Sequence, residues 1–184
     1  FPDVVLKKED VALVSAKRWT TDLSPEMFQK VTGLDKFPDY LLNSVDNNTL
    51  KVYSNGEINY TLKGIHAKVS VIWNFEAPPG GGDTHYSIMR GTKCNLVIRQ
   101  GAEQQFKPTL YIEPVAGQDI KSFESQLSLV VPNVLAAKYP GLKLVKLGEN
   151  QWSLDIPAEF KVGHEAHFAQ VAERYLKYLA EGKL

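Results

Sequence analysis

Ile65-His66-Ala67-Lys68-Val69-Ser70-Val71-Ile72-Trp73-Asn74-Phe75 places an apolar side chain at every second position, from Ile65 to Phe75. A period of two is the signature of a strand with one buried face. Its other face reads His66, Lys68, Ser70, Ile72, Asn74 and, just beyond, Glu76. This predicts a long strand whose apolar side meets a core and whose polar side meets water, a ligand or a partner. Upstream, Gly64 allows a bend. Leu50 and Val52 lead to Asn55-Gly56, followed by the alternating Ile58, Tyr60 and Leu62. Asn-Gly between alternating runs is a strong short-range hairpin signal, so a turn is expected there. Downstream, Pro78-Pro79-Gly80-Gly81-Gly82-Asp83 breaks the pattern, and residues 84–90, 95–100 and 109–113 read as further antiparallel neighbours.

The flanks are helical. Residues 10–21, with Val11, Leu13, Val14, Ala16 and Trp19, read as one more strand. Ser24-Pro25-Glu26 then offers a hydroxyl cap, a first residue of fixed φ and a first-turn acid, and Gly33 supplies the stop, which predicts a helix over 25–32. A second short helix is expected from Pro38, carried by Tyr40, Leu41, Leu42 and Val45 up to the Asp46-Asn47-Asn48 turn. Residues 119–138 return to helical spacing with Ile120, Phe123, Leu127, Val130, Val131, Val134 and Leu135. Pro132 interrupts this stripe, and we read one kinked helix, the alternative being a break with Pro132 opening a second. Residues 142–147 and 151–156, around Gly148-Glu149-Asn150, form a final hairpin. A last helix from about Glu165 to Ala180 carries Phe168, Val171, Ala172, Tyr175, Leu176 and Leu179 on one side. Burying that stripe is worth roughly 10 kcal/mol at most, so docking is expected. The sum is an α+β fold, an open, mainly antiparallel sheet with helices packed on one face, forming a single domain over 1–184 with one core.

Composition narrows the function classes. The chain has 184 residues, 43% hydrophobic and 23% charged, an ordinary globular composition. Lys plus Arg total 21 and Asp plus Glu total 21, so no net field draws it to nucleic acid or to an anionic membrane surface. Cys94 is the single cysteine, which excludes an intrachain disulfide and a Cys/His zinc pattern. No apolar run reaches the ~18 residues of a membrane span. The opening Phe1-Pro2-Asp3 lacks signal-peptide features and reads as a cut. A soluble domain follows, in cytoplasm or periplasm. Taken alone, the residues give no chemistry.

Few side chains suggest a reaction. His164-Glu165-Ala166-His167 lacks the four-residue spacing of a zincin helix, and capping or packing is the simpler role, so no metal is expected. Gly80-Gly81-Gly82-Asp83 lacks the Lys-Ser/Thr of a phosphate loop and lies between strands. Asp83, Thr84 and His85, emerging beside it, are candidates to reach over the sheet edge toward a polar ligand. Ser24, Ser70, Ser87 and the histidines are joined by no nucleophile elbow. Cys94 sits inside a strand, where a structural thiol is commoner than a nucleophile. Trp19 and Trp73 read most simply as core aromatics, although an exposed Trp73 would suit stacking on a sugar face. Arg18, Arg90 and Lys93 count as solvated charges unless they converge. No Gly-x-Gly-x-x-Gly fingerprint occurs.

The segment His85-Tyr86-Ser87-Ile88-Met89-Arg90-Gly91-Thr92-Lys93-Cys94-Asn95-Leu96-Val97-Ile98 resembles the strand, Gly-Thr-Lys turn and strand in the C-terminal domain of the glucose-fructose oxidoreductase and inositol dehydrogenase (Gfo/Idh/MocA-like) family. Arg18-Trp19 leading to Phe28 and Thr32-Gly33, the Val71-Ile72-Trp73-Asn74-Phe75 strand, and Gly163-His164-Glu165-Ala166-His167-Phe168 are similar to the oxidoreductase C-terminal domain group of its bacterial homologues. The resemblance implies a two-domain parent, in which a Rossmann domain of about 150 residues precedes this half and binds NAD(P). It implies that this half shapes the substrate side for a sugar or polyol derivative, with Asp83, Thr84, His85, Trp73 and Arg18 as the candidate contacts. It further implies a homo-oligomer built by the sheet face carrying His66, Lys68, Ser70, Asn74 and Glu76, or by its neighbour strands. The family's Glu-Lys-Pro lysine and His-x-x-Asp segment are absent, so a fragment without catalytic residues, binding no cofactor alone, is expected. A free-standing carbohydrate-binding module and a structural interaction domain remain the alternatives.

Overall fold

The computed structural model describes residues 7–183. Phe1-Pro2-Asp3, read above as a cut, lies outside the described residues. The chain divides into two compact units, one ending at Pro78 and the other beginning at Pro79. Each has its own sheet and its own core cluster, where one core was expected.

The first unit holds β1 (Val11–Leu23), α1 (Pro25–Thr32), a 3-10 turn over Asp39–Ser44, β2 (Val45–Asp46), β3 (Thr49–Leu62) and β4 (Ile65–Val71). β3 is the spine. It pairs antiparallel with β1 along one edge and with β2 and then β4 along the other. Both hairpins close in two residues with positive φ at each, Asn47 (46°) and Asn48 (59°), then Lys63 (49°) and Gly64 (79°). Such left-handed pairs match the twist of the flanking strands. α1 begins and ends as the sequence predicts: Ser24 Oγ accepts the Met27 amide at 3.2 Å, and Gly33, at φ 75°, donates to the Gln29 carbonyl.

Asn55-Gly56 is not a turn. β3 continues through it, with a bulge at which two residues of β3, Tyr53 and Ser54, oppose the single Thr20 of β1. This bulge turns Asn55 inward, where it is buried at 5% exposure. Its Nδ2 donates to Thr21 Oγ1 at 2.9 Å and to the Trp19 carbonyl, and its Oδ1 accepts the Trp73 amide at 2.7 Å. Those bonds also explain why β4 stops at Val71 rather than reaching Phe75. Trp73 gives its N–H to Asn55 and takes the Thr21 hydroxyl on its carbonyl, so side chains replace the ladder, and Phe75 adopts φ 69°. Trp73 and Phe75 thereby pack against the core of Leu23, Phe28 and Leu50.

The apolar side of β4 does not meet a core. Register places Ile65 beside Leu62 and Val11, and Val69 beside Ile58 and Ala16. Val11, Leu13, Ile58, Ile65, Val69 and Val71 are all exposed, Ile65 at 74%. The polar side is laced instead: Glu57 pairs with Lys68 at 2.7 Å and with Lys17 at 3.5 Å.

The second unit contains β5 (His85–Arg90), β6 (Cys94–Gln100), β7 (Thr109–Pro114), α2 (Ile120–Val130), α3 (Ala136–Lys138), β8 (Lys143–Gly148), β9 (Gln151–Asp155) and α4 (His164–Ala180). Its antiparallel sheet runs β5-β6-β7-β9-β8. α2 lays Phe123, Ile120 and Leu127 on one face, against Ile112 and the 1%-exposed Trp152, with Cys94 at the edge of that cluster. The reading of one continuous helix, not a break at Pro132, holds: Val131–Leu135 forms a π segment that joins α2 to α3. Pro132 has no N–H for the Ser128 carbonyl, and Asn133 Nδ2 satisfies the next one, Leu129, at 2.8 Å. α4 departs from expectation. None of its residues is buried. Among the described residues no helix is long and apolar enough to cross a membrane.

Candidate functional site

Alternation on the second sheet sets Leu96, 38% exposed, and the buried Ile112 on one face, and Asn95, the fully buried Val97 and Arg99 of β6 beside Glu113, Tyr111 and Thr109 of β7 on the other. Arg99 lies over the Tyr111 ring, its guanidinium carbon 5.0 Å from the centroid, and reaches past it to Glu113. Its Nη1 donates to Glu113 Oε1 at 2.8 Å, and Gln151 Nε2 from β9 donates to that same oxygen at 2.7 Å. Tyr111 is fixed in turn, its hydroxyl taking Gln104 Nε2 at 3.0 Å while Gln104 Oε1 accepts the Gly101 amide. The Arg99 and Glu113 side chains are 32% and 25% exposed, half-buried yet reachable.

The Arg99 guanidinium, and after it the Gln151 amide, hold the Glu113 carboxyl below the usual carboxylate range, against the opposing effect of burial. Glu113 pushes Arg99 upward in return. The pair is therefore fully ionised at neutral pH. Among the described residues nothing bonds Glu113 Oε2. A carboxylate acceptor beside guanidinium donors, with phenol rings for walls, can hold neighbouring hydroxyls or another polar ligand.

The residues singled out from sequence fall in both units. Arg18 stacks on Tyr53, 4.5 Å from its centroid, and Trp73 is packed against the first core; both lie in the first unit. Asp83, Thr84 and His85 lie in the second, exposed at the start of β5, with the Asp83 carbonyl accepting Gln100 Nε2 at 2.9 Å. Tyr86 pairs with Arg99 in register and so shares the network's face, whereas His85 points to the other. Sequence reasoning passed over Arg99, Tyr111, Glu113, Gln104 and Gln151. The signal was present in the i, i+2 spacing of Tyr111 and Glu113 and of Val97 and Arg99, but it becomes a site only once strand pairing is known. His164, weighed as a metal ligand, sets its ring edge-on to Phe168 at 4.8 Å.

Acidic and hydroxyl side chains stand at the described helix starts. Asp119 already takes the Lys121 and Ser122 amides at α2, Ser24 with Glu26 behind it occupies α1, and Glu165 sits in the first turn of α4.

Residues 1–184 match the family model described as "Putative oxidoreductase C terminal domain". A crystal structure at 2.23 Å resolution of a "putative oxidoreductase" from Parabacteroides merdae ATCC 43184 is similar to the chain, with 52% identity and a TM-score of 0.90. That match covers 100% of this chain and 42% of the other, so the chain spans less than half the length of the protein it resembles. No curated protein matches.

Proposed function

The chain belongs to the family "Putative oxidoreductase C terminal domain", and from that premise we propose that it is the substrate-side and assembly half of an NAD(P)-dependent oxidoreductase of the Gfo/Idh/MocA-like kind, acting on a sugar or polyol derivative and inactive by itself. The observation that carries the substrate class is the Arg99–Glu113 pair with its open Oε2. Glu113 accepts from one hydroxyl of a diol while Arg99 donates to its neighbour, and Tyr86, 62% exposed, offers a ring for a sugar's apolar face. Asp83, Thr84 and His85 border the same strand. In the parent, a nicotinamide bound by the other domain would supply the hydride chemistry. This half binds and orients the substrate and carries no proton step of its own.

A nucleotide-binding domain on the rest of a longer chain is the natural partner, in keeping with the 42% coverage of the similar structure. Assembly is better served by the open apolar face of Val11, Leu13, Ile58, Ile65, Val69 and Val71 than by the His66, Lys68, Ser70, Asn74 and Glu76 face, where Lys68 and Glu76 already hold ion pairs. That the polar network is complete within the second unit favours one further reading, a carbohydrate-binding module needing no other domain.

Titration calorimetry against a panel of sugars and polyols tests the substrate class, with millimolar binding that weakens at least tenfold in Arg99→Ala and Glu113→Gln as the expected result. His85→Ala and Trp73→Ala report the residues chosen from sequence. Nicotinamide fluorescence separates the two readings from a complete enzyme: tight NADH binding by this chain alone would overturn the half-enzyme assignment.

A further inference from the structure

Asn55 is the one asparagine in the sequence that is followed by glycine. In an open chain that pair is chemically weak. The Gly56 amide nitrogen, once it has lost its proton to solvent, bonds to Cγ of Asn55; the Cγ–Nδ2 bond breaks and ammonia leaves. Water then opens the five-membered imide at one carbonyl or the other, giving aspartate or iso-aspartate at position 55. Glycine favours the first step because no Cβ shields its nitrogen or restrains its backbone. The fold blocks it. Gly56 is held in register between Arg18 of β1 and Val71 of β4, so its backbone is paired on both sides. The Asn55 side chain, 5% exposed, is committed to Thr21, Trp19 and Trp73. Ring closure requires those three bonds to break and ψ of Asn55 to leave the strand range.

We propose that Asn55 is a fold-gated deamidation site, kept intact while β1, β3 and residues 72–75 close around it, and converted irreversibly in chains that open. Neither product can rebuild the contacts. A carboxylate in place of the amide has no donor for the Trp19 carbonyl, and the Thr21 hydroxyl already gives its proton to the Trp73 carbonyl at 2.6 Å. Lone pairs then face lone pairs around a buried charge, an arrangement that folding must pay for. Iso-aspartate instead adds one carbon to the main chain of β3, which disturbs the register of every pair beyond it on β1 and β4. An opening of the first unit is thereby recorded in covalent structure. The site uses none of the Arg99–Glu113 residues and is independent of the substrate reading.

The test ages the 184-residue chain at mildly alkaline pH in native buffer and, in parallel, in concentrated urea. Peptide mapping by mass spectrometry reads position 55, where loss of ammonia and gain of water leave the peptide one mass unit heavier. Conversion at least tenfold faster in urea than in native buffer is expected. Gly56→Ala supplies the control: a Cβ there meets only the Lys17 carbonyl oxygen, at an ordinary 3.7 Å, so the fold is kept while attack by the nitrogen is hindered. In urea this variant should convert at least tenfold more slowly than the wild type. After removal of urea, the aged wild type should regain native Trp73 fluorescence only in the fraction still carrying Asn55, whereas equally aged Gly56→Ala should regain nearly all of it. Equal rates in native buffer and urea would remove the gate. Converted wild type that refolds to unchanged stability would overturn the proposal as well, and so would an equal loss of refolding in aged Gly56→Ala that has kept its Asn55.

Discussion

Asn55 shows how much one amide can hold. It is 5% exposed and ties three segments together, accepting from the Trp73 amide and donating to Thr21 and Trp19 on β1. Removing it strands a half-buried N–H and deprives the Thr21 hydroxyl of a donor. An unsatisfied buried group costs about 1 to 3 kcal/mol, so Asn55→Ala should destabilise by that amount in urea unfolding, with the loss partly shared in a Thr21→Val double-mutant cycle. Purely additive effects would show that the three bonds act separately. Glu113 makes a pH-dependent prediction. Because Arg99 and Gln151 favour its ionised form, the folded chain binds fewer protons there than the unfolded chain. The contribution is complete above the ordinary value of 4.5 and is lost as pH falls through the lower folded value. The stability gap between wild type and Glu113→Gln should therefore be widest near neutrality and narrow on acidification below pH 4.5. A gap that is flat with pH would remove the ion pair's role.

At the scale of elements, α1 was legible to the residue because its signals are local: a cap, a fixed φ and a stop act within one turn of the chain. Ser24→Ala should cost about 1 kcal/mol of unfolding free energy, and Ser24→Asp should restore most of it, since the Met27 amide needs only an oxygen at that place. The π segment was half legible, for Pro132 announces a disturbance without saying that Asn133 repairs it. Asn55-Gly56 was misread for an instructive reason. The dipeptide favours a tight turn, but the bulge opposite Thr20 gives Asn55 a buried set of partners that a turn cannot offer, and tertiary bonds outweigh local preference. The Arg99–Glu113–Gln151 network left only the i, i+2 spacing of single strands as a signal, since its members come from three strands separated by up to 52 positions in sequence. The apolar stripes of β4 and α4 were read correctly as stripes. Periodicity reports that a face is apolar, not that this chain covers it.

At the scale of the molecule, two core clusters replace the one expected, Leu23, Phe28 and Leu50 in the first unit and Ile112, Phe123 and Trp152 in the second. Each cluster draws its supporting residues from its own unit, so a cavity cut in one removes packing from that unit alone. The tryptophans provide separate reporters: Trp73 packs against the first cluster, while Trp152 lies inside the second, its ring 5.5 Å from Phe123. Leu50→Ala should cost about 2 to 5 kcal/mol in the unit that contains it, the usual range for emptying a buried leucine. In a Trp19→Phe, Trp152→Phe background, where Trp73 reports, the unfolding midpoint should fall by that amount. In a Trp19→Phe, Trp73→Phe background, where Trp152 reports, Leu50→Ala should leave the midpoint where it was. Phe123→Ala should give the mirror result. If Leu50→Ala shifted both reporters equally, the two clusters would be unfolding as one cooperative core, and the division at Pro78 would have no thermodynamic meaning.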